Sequence, residues 1–244
     1  MFYRIGFLVL LTAALIGCGS FNINAKRGSG KVTIENRAVN NFHSVVLAGI
    51  GDLTIMQSDS ESLTITAEDN LLPLLTSEVK DGVLTIGVNS GINGASILPT
   101  QPIKYELHVN NLDSIQLSGA GNILAPALQS ETLKLGTSGA GNVNLSQLAV
   151  KQLAVALSGA GNMTIAGQGD TQQVTVAGFG SYNAGDFKTN TTDVTLTGAG
   201  SATVWAEQTL NGKISGAGSI NYYGSPQVTS SVGGVGAVKQ LGTK

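Results

Sequence analysis

Short runs of alternating apolar and polar residues, hinged on glycine corners, fill the second half of the chain. Aligned on the first glycine of each corner (Gly119, Gly139, Gly159, Gly178, Gly198 and Gly216), the apolar residues fall at fixed offsets. Four positions before it stand Ile115, Leu135, Val155, Val174 and Val194, with Gly212 the exception. Two before it stand Leu117, Thr137, Leu157, Val176, Leu196 and Ile214. Four after it come Ile123, Val143, Met163, Tyr182, Ala202 and Ile220, and six after it Ala125, Leu145, Ile165, Ala184, Val204 and Tyr222. A period of two on either side of a corner predicts two short strands per repeat, each with one face buried. Segments such as Leu148-Ala149-Val150 supply a third, looser side.

The corners are nearly identical. Ser118-Gly119-Ala120-Gly121-Asn122 recurs as Ser138–Asn142 and Ser158–Asn162, and then as Gly-Phe-Gly-Ser at 178, Gly-Ala-Gly-Ser at 198 and 216, and Gly234-Val235-Gly236. From Gly119 onward the steps between first glycines are 20, 20, 19, 20, 18 and 18 residues. A fixed period of this length is the signature of a solenoid, whose repeats bury their apolar positions only by stacking. Equivalent strands then form parallel ladders, and parallel crossovers are right-handed in nearly every case, so the expected fold is an all-β, right-handed parallel β-helix. About 20 residues at roughly 3.3 Å each give a circuit near 65 Å, enough for two or three short faces. A long helix is excluded, because each glycine would cost it about 1 kcal/mol.

Ahead of the array the pattern is β-rich and less regular. Val32-Thr33-Ile34 is a first β run, and Val45 to Ile55 carries an early corner, Gly49-Ile50-Gly51-Asp52, with the layout of a first coil. Residues Ala67 to Leu75 read as a short helical turn or loop, and Glu78-Val79-Lys80-Asp81-Gly82 as a turn before Val83-Leu84-Thr85-Ile86. Ser90 to Gln101 reads as a surface loop, and Tyr105 to Val109 leads into the array.

Two physical roles are expected of the corner glycines: positive φ, and room for the next coil's backbone. Asn122, Asn142 and Asn162 hold one position in consecutive coils, so their amides can donate and accept along the stack. Ser181, Ser201 and Ser219 replace them with small hydrogen-bonding groups. As a row of metal ligands this column is poor, since it lacks carboxylates. A Gly-x-Gly in β context with no following helix also fails the test for a phosphate loop.

The amino terminus changes the picture of location. Arg4 and the apolar run Ile5 to Leu15 have the layout of an export signal, too short to span a membrane as a helix. The run closes on Leu15-Ile16-Gly17-Cys18, which resembles the bacterial lipobox, although an ordinary cleaved signal with an incidental cysteine has the same outline. The organisation expected is a lipoprotein signal peptide (1–17), a lipidated tether (18–30), an irregular β-rich first part of the solenoid (31–111), and regular coils with a C-terminal cap (112–244). Lipidation of Cys18, the single cysteine, leaves no thiol for disulfides, catalysis or zinc. By the sorting rule for such lipoproteins, Gly19 after the cysteine, with no Asp there, would suggest an outer-membrane address in a Gram-negative cell. The formal charge of -2, with 11% charged residues scattered singly, gives no electrostatic case for nucleic acid.

The Gly-Ala-Gly-Asn repeats, Ala67-Glu68-Asp69-Asn70-Leu71-Leu72, the stretch Thr76 to Ile86, and Pro102-Ile103-Lys104-Tyr105 leading to Leu112 together resemble the head GIN-domain family of auto-transporter adhesins. The resemblance runs roughly from Phe42 to Gly236. It implies a β-helix in an exported, often lipid-anchored bacterial envelope protein, and it brings no catalytic residues with it.

Catalysis on a β-helix needs two or three convergent carboxylates, or a carboxylate with a basic partner. The acids of the array (Asp113, Glu131, Asp170, Asp186, Asp193 and Glu207) fall at different phases of the coil, so no acid column is expected. His43 and His108 both lie outside the regular coils, and Gly167-Gln168-Gly169-Asp170 resembles a calcium-binding nonapeptide only once. No cofactor or metal site is indicated. Trp205 and Tyr223 share one position in adjacent coils, facing outward by alternation, and are the candidate surface for a sugar ring or a partner protein. End-capping or cross-strand pairing explains the same two residues. The function expected is a non-enzymatic, lipid-anchored envelope module that binds a glycan or an envelope protein. The alternatives are a polysaccharide-active β-helix enzyme and a structural or signalling envelope component.

Overall fold

The computed structural model describes residues 25–89 and 96–244. The signal peptide, Cys18 and residues 90–95 of the expected surface loop lie outside the described residues. Nine strands precede the regular coils: β1 (Lys26–Arg27), β2 (Val32–Arg37), β3 (Ser44–Leu47), β4 (Ile50–Gln57), β5 (Ser62–Glu68), β6 (Leu75–Lys80), β7 (Val83–Val88), β8 (Ile97–Leu98) and β9 (Lys104–Val109). Ten follow: β10 (Ser114–Leu117), β11 (Ala120–Ala125), β12 (Leu128–Thr137), β13 (Ala140–Leu157), β14 (Asn162–Val176), β15 (Ser181–Leu196), β16 (Ser201–Ile214), β17 (Ala217–Tyr223), β18 (Gln227–Val232) and β19 (Val235–Gly242).

From β10 onward the chain winds as a β-solenoid with coils of about 20 residues and about 6 turns in all. The alternation sets the pairing. Leu135 stands on Ile115, Val155 on Leu135 and Val174 on Val155, each in a parallel ladder. After the corner, Val143 stands on Ile123 and Met163 on Val143. The third side is a real ladder, with Leu148 on Leu128 and Val150 on Ser130. Inward positions on all three sides merge into one core. Residues 227–242 continue the ladders, β18 on β16 and β19 on β17. They form one more coil at the C-terminal end, with most residues exposed.

The front of the solenoid is assembled out of chain order. The early corner stacks directly under the first regular one, with Gly51 beside Gly121, although 70 residues separate them. Beneath that first coil lies a layer made later in the chain, where β7 pairs with β3 and β9 with β4, both parallel. Antiparallel strands then close this end: β6 on β7, β5 on β9 and β2 on β5. The β6–β7 hairpin turns on Asp81 and Gly82, both at positive φ (51° and 75°), as a type I′ turn demands. Between β5 and β6 a single 3-10 turn, Leu72–Leu74, brings Leu71, Leu72 and Leu75 into the core. Arg37 holds that turn by donating to the carbonyls of Leu72 at 3.0 Å and Leu75 at 2.8 Å.

The tether expected over residues 18–30 is docked from Lys26 onward. β1 pairs with β8, and the Gly30 N–H donates to the Glu68 carboxylate at 2.6 Å. Glu68 is fully buried and also accepts from the Thr100 hydroxyl and from the N–H groups of Thr100 and Gln101. Burial pushes its carboxyl upward, but these hydrogen bonds outweigh it and hold the group below its ordinary value. Ser29 donates to Asp69 at 2.6 Å, and Asn70 donates to the Arg27 carbonyl at 2.8 Å. Glu68-Asp69-Asn70 thus clips the segment before β2 onto the solenoid, which local periodicity does not show.

Of the two roles expected of the corner glycines, the regular corners use one. Among the regular corners, 119 to 218, none is at positive φ; in the early corner Gly51 is, at 120°. Close approach decides the rest: a Cβ on Gly141 would lie 1.7 Å from the Gly121 carbonyl oxygen, and one on Gly121 2.0 Å from that of Gly51. Gly167 and Gly169, singled out as a fragment of a calcium loop, serve packing. A Cβ on Gly167 would lie 2.1 Å from the Leu148 carbonyl oxygen, and one on Gly169 2.9 Å from the ring of buried Phe187.

Candidate functional site

The third side of the coil bends before the next strand begins, and successive bends line up as a groove along the solenoid. Its volume is about 780 Å³, and four coils contribute: 129–131, 149–151, 168–170 and 188–190. The inward residues that hold the bend, Leu128, Leu148 and Phe187, are buried, which leaves Gln129, Gln168 and Lys188 pointing outward. At one end Gln57 replaces a missing strand. Its amide accepts from the Gln129 N–H at 2.8 Å and donates to the carbonyls of Gln129 at 3.1 Å and Asn110 at 2.9 Å.

The register corrects one expectation about the acids. Ser130, Val150 and Gly169 are neighbours, as are Thr132, Gln152 and Thr171, so Glu131, Lys151 and Asp170 share one column. Their charges alternate along the groove. Lys151 pairs with Glu131 at 2.6 Å, and this hydrogen bond, the Glu131 charge and the Asp170 charge raise its pKa. An ammonium so raised is protonated at neutral pH and is no general base. Glu131 and Lys151 are well exposed, so their pair is screened by solvent and adds little stability.

The remaining acids are dispersed. Asp193 accepts from Asn211 at 2.7 Å, and Asp113 lies 3.6 Å from His43 Nδ1. His108 sits 3.4 Å from Ser58 Oγ through Nδ1 and 3.7 Å from Glu106 through Nε2, the order of a nucleophile–base–acid set. The Ser58 hydroxyl, however, donates to the Ser60 carbonyl at 2.9 Å, and the carboxylate is too distant to orient the ring. Among the described residues no group of three or more His, Cys, Asp and Glu side chains is placed to hold a metal.

The corner residues form the hydrogen-bonded column that their spacing allows, and it extends one coil further than the asparagines. Asn122 donates to Asp52 at 2.7 Å, Asn142 to Asn122 at 3.0 Å and Asn162 to Asn142 at 3.3 Å. Ser181 and Ser219 continue the register, and Ser201 donates to Ser181 at 3.2 Å. Every amide here bonds to the neighbouring coil, which is a structural role.

Trp205 and Tyr223 are register partners on successive coils, but neither is the open outward platform expected from alternation. Both are half-buried. Lys244 Nζ lies 4.4 Å from the Tyr223 ring centre and 5.6 Å from that of Trp205, while Lys188 Nζ lies 5.4 Å from Trp205. Beneath them is a buried polar network that alternation did not reveal. Gln172 Nε2 donates to Thr189 and Thr192 at 3.0 and 3.1 Å, and the Tyr182 hydroxyl donates to Gln172 Oε1 at 3.0 Å. The only hint was Gln172 standing in a row with Leu133 and Leu153.

Solved structures share this architecture. A putative adhesin from Bacteroides fragilis NCTC 9343 superposes with a TM-score of 0.83 at 25% identity, covering 88% of this chain and 99% of its own. A putative lipid binding protein from Parabacteroides distasonis ATCC 8503 gives 0.74 at 22% identity, with 89% and 99% covered. A putative adhesin from Parabacteroides merdae ATCC 43184 gives 0.70 at 23% identity, also with 89% and 99% covered. A search among curated proteins finds no match. The family profile described as "Putative auto-transporter adhesin, head GIN domain" matches residues 41–226, which covers the first coil, the out-of-order layer and the regular coils. The chain belongs to this head GIN-domain family.

Proposed function

We propose that the protein is a non-enzymatic module of the bacterial cell envelope, anchored by lipid on Cys18, that binds an extended glycan along the groove. The observation that carries the reading is the groove itself. It is open over four coils and lined mainly by polar side chains, with a column in which Lys151 pairs with Glu131 and Asp170 follows one coil on. The amides of Gln129, Gln168 and Asn190 and the Ser130 hydroxyl, spread over coils about 4.8 Å apart, suit a polymer of hydroxylated rings held by many weak contacts. The core is filled by the protein's own side chains, so a ligand has its place on this outer face. The adhesin label of the family supports a binding role.

A glycan-array screen of wild type against a Gln168→Ala, Asn190→Ala variant tests the reading, since both residues are exposed and line the groove. Binding that the variant loses is expected; wild type that binds no glycan refutes it. Anchoring is tested by palmitate labelling of a Cys18→Ala variant, which should take up no label. Protease accessibility in intact cells then distinguishes the surface from the periplasmic face.

The enzyme reading has one observation in its favour. Glu131 and Asp170 flank Lys151 two coils apart, about 9.6 Å at ladder spacing, near the upper limit for an inverting carboxylate pair. Release of reducing ends from a bound polysaccharide, abolished by Glu131→Gln, would establish it in place of the binding module.

A further inference from the structure

Around Trp205 two aromatic rings are held in place by their neighbours. Trp205 Nε1 donates to Glu207 Oε1 at 2.8 Å, which fixes the ring plane, and Glu207 in turn pairs with Lys188 at 3.4 Å. Tyr223 stands beside Trp205 by ladder register. Gly185 gives the Tyr223 ring its place, since a Cβ there would lie 3.0 Å from the ring edge. The ring positions are therefore set by residues other than Lys244.

Into this arrangement comes the ammonium of Lys244, two residues beyond the end of β19. It donates to the Gly185 carbonyl at 2.8 Å and to the Asp186 carboxylate, and it faces the Tyr223 and Trp205 rings. A primary ammonium has three N–H groups on a flexible apolar stem. A carbonyl, a carboxylate and an aromatic face converging on one point match that group. A neutral sugar would instead need a free ring face, and here two lysines lie against the Trp205 ring.

We propose that this is a binding site for a lysine side chain of a partner polypeptide, with Lys244 as its intramolecular occupant. The proposal does not rest on glycan binding in the groove, although Lys188 borders both. Lys244 competes with the partner, so the partner's affinity depends on how readily the chain beyond β19 lifts away.

Trp205 is the only tryptophan, so intrinsic fluorescence reports on this site directly. Wild type and Lys244→Ala are titrated with N-acetyl-lysine methylamide, with the norleucine analogue as the uncharged control and circular dichroism as the check on the fold. The variant should show a saturable change with the lysine derivative, half-complete at a concentration about tenfold or more below that for wild type, where a tethered ammonium competes. Adding Asp186→Asn to the variant should weaken this binding about tenfold, through loss of a charged hydrogen bond. The proposal is overturned by no saturable change in folded Lys244→Ala, or by an equal response to the norleucine analogue. A response to glucosamine but not to the lysine derivative likewise overturns it, assigning the site to amino sugars.

Discussion

Replacing Gly141 with alanine puts the central reason for the corner motif to a quantitative test. The added Cβ would lie 1.7 Å from the Gly121 carbonyl oxygen, where an unstrained C···O contact needs about 3.3 Å. The two coils must therefore separate at the corner by about 1.5 Å. That stretches the bond from Ala140 N–H to the Gly119 carbonyl, now 3.1 Å, beyond any useful length. It also strains the Asn142–Asn122 amide bond of 3.0 Å. Losing two or three such bonds at about 1 kcal/mol each gives a destabilisation of about 2–3 kcal/mol. Gly136→Ala is the internal control. Its Cβ would meet only the end of the Gln116 side chain, at 2.7 Å, which can swing aside. The control should change stability by less than about 1 kcal/mol in either direction, because the unfolded chain also loses freedom. Guanidinium unfolding followed by far-UV circular dichroism measures both. Equal midpoints for the two variants, or Gly141→Ala within about 0.5 kcal/mol of wild type, would show that close approach is not what the corner glycines supply.

Three further outcomes follow from the buried polar groups. Gln172→Leu restores the leucine found one coil below, yet it should destabilise by about 1–3 kcal/mol, because it strips the buried Tyr182 hydroxyl of its acceptor. Adding Tyr182→Phe should then recover part of the loss, and additive effects in this cycle would contradict the coupling. Thr137→Val should stabilise by about 1 kcal/mol in the same unfolding assay, since among the described residues its hydroxyl alone is buried without a partner; an unchanged or lowered midpoint counts against it. Glu68 titrates below its ordinary value of 4.5 in the fold, so its contribution is full above that pH and is lost as pH falls toward the depressed value. Asp69 is shifted the same way, by the Ser29 hydroxyl above all and then, against the cost of burial, by Lys31. Hydrogen exchange of the amides of residues 26–31 should therefore accelerate between about pH 5 and pH 3 after correction for intrinsic rate, and Glu68→Gln should show low protection throughout. Protection unchanged across that range would remove Glu68 as the clip.

The candidate sites were legible to different degrees for physical reasons. The corner column of Asn122, Asn142 and Asn162 could be foreseen because one spacing places identical side chains in register. The Glu131–Lys151–Asp170 column could not, because the looser third side adds or drops a residue between coils, and only the register fixes which residues align. Trp205 and Tyr223 were found as a pair by their shared offset. Their cover was not, because Lys244 reaches Asp186 from 58 residues away.

By itself the sequence determined the coil. A period of two around a small-residue corner encodes strand, bend and inward face within 20 residues, and repetition of that code forces parallel stacking. Tertiary structure alone decided the order of the layers. Gly49-Ile50-Gly51-Asp52 stacks on Ala120-Gly121-Asn122, with Val83–Val88 and Lys104–Val109 beneath it although they come later in the chain. Ladder hydrogen bonds join backbone to backbone, so they accept any strand of matching pleat and carry no record of sequence order. Which strand lies next is chosen by the fit of Leu53 against Tyr105 and by the closure of the core end by Leu71 and Leu72, contacts that exist only once the chain has folded back.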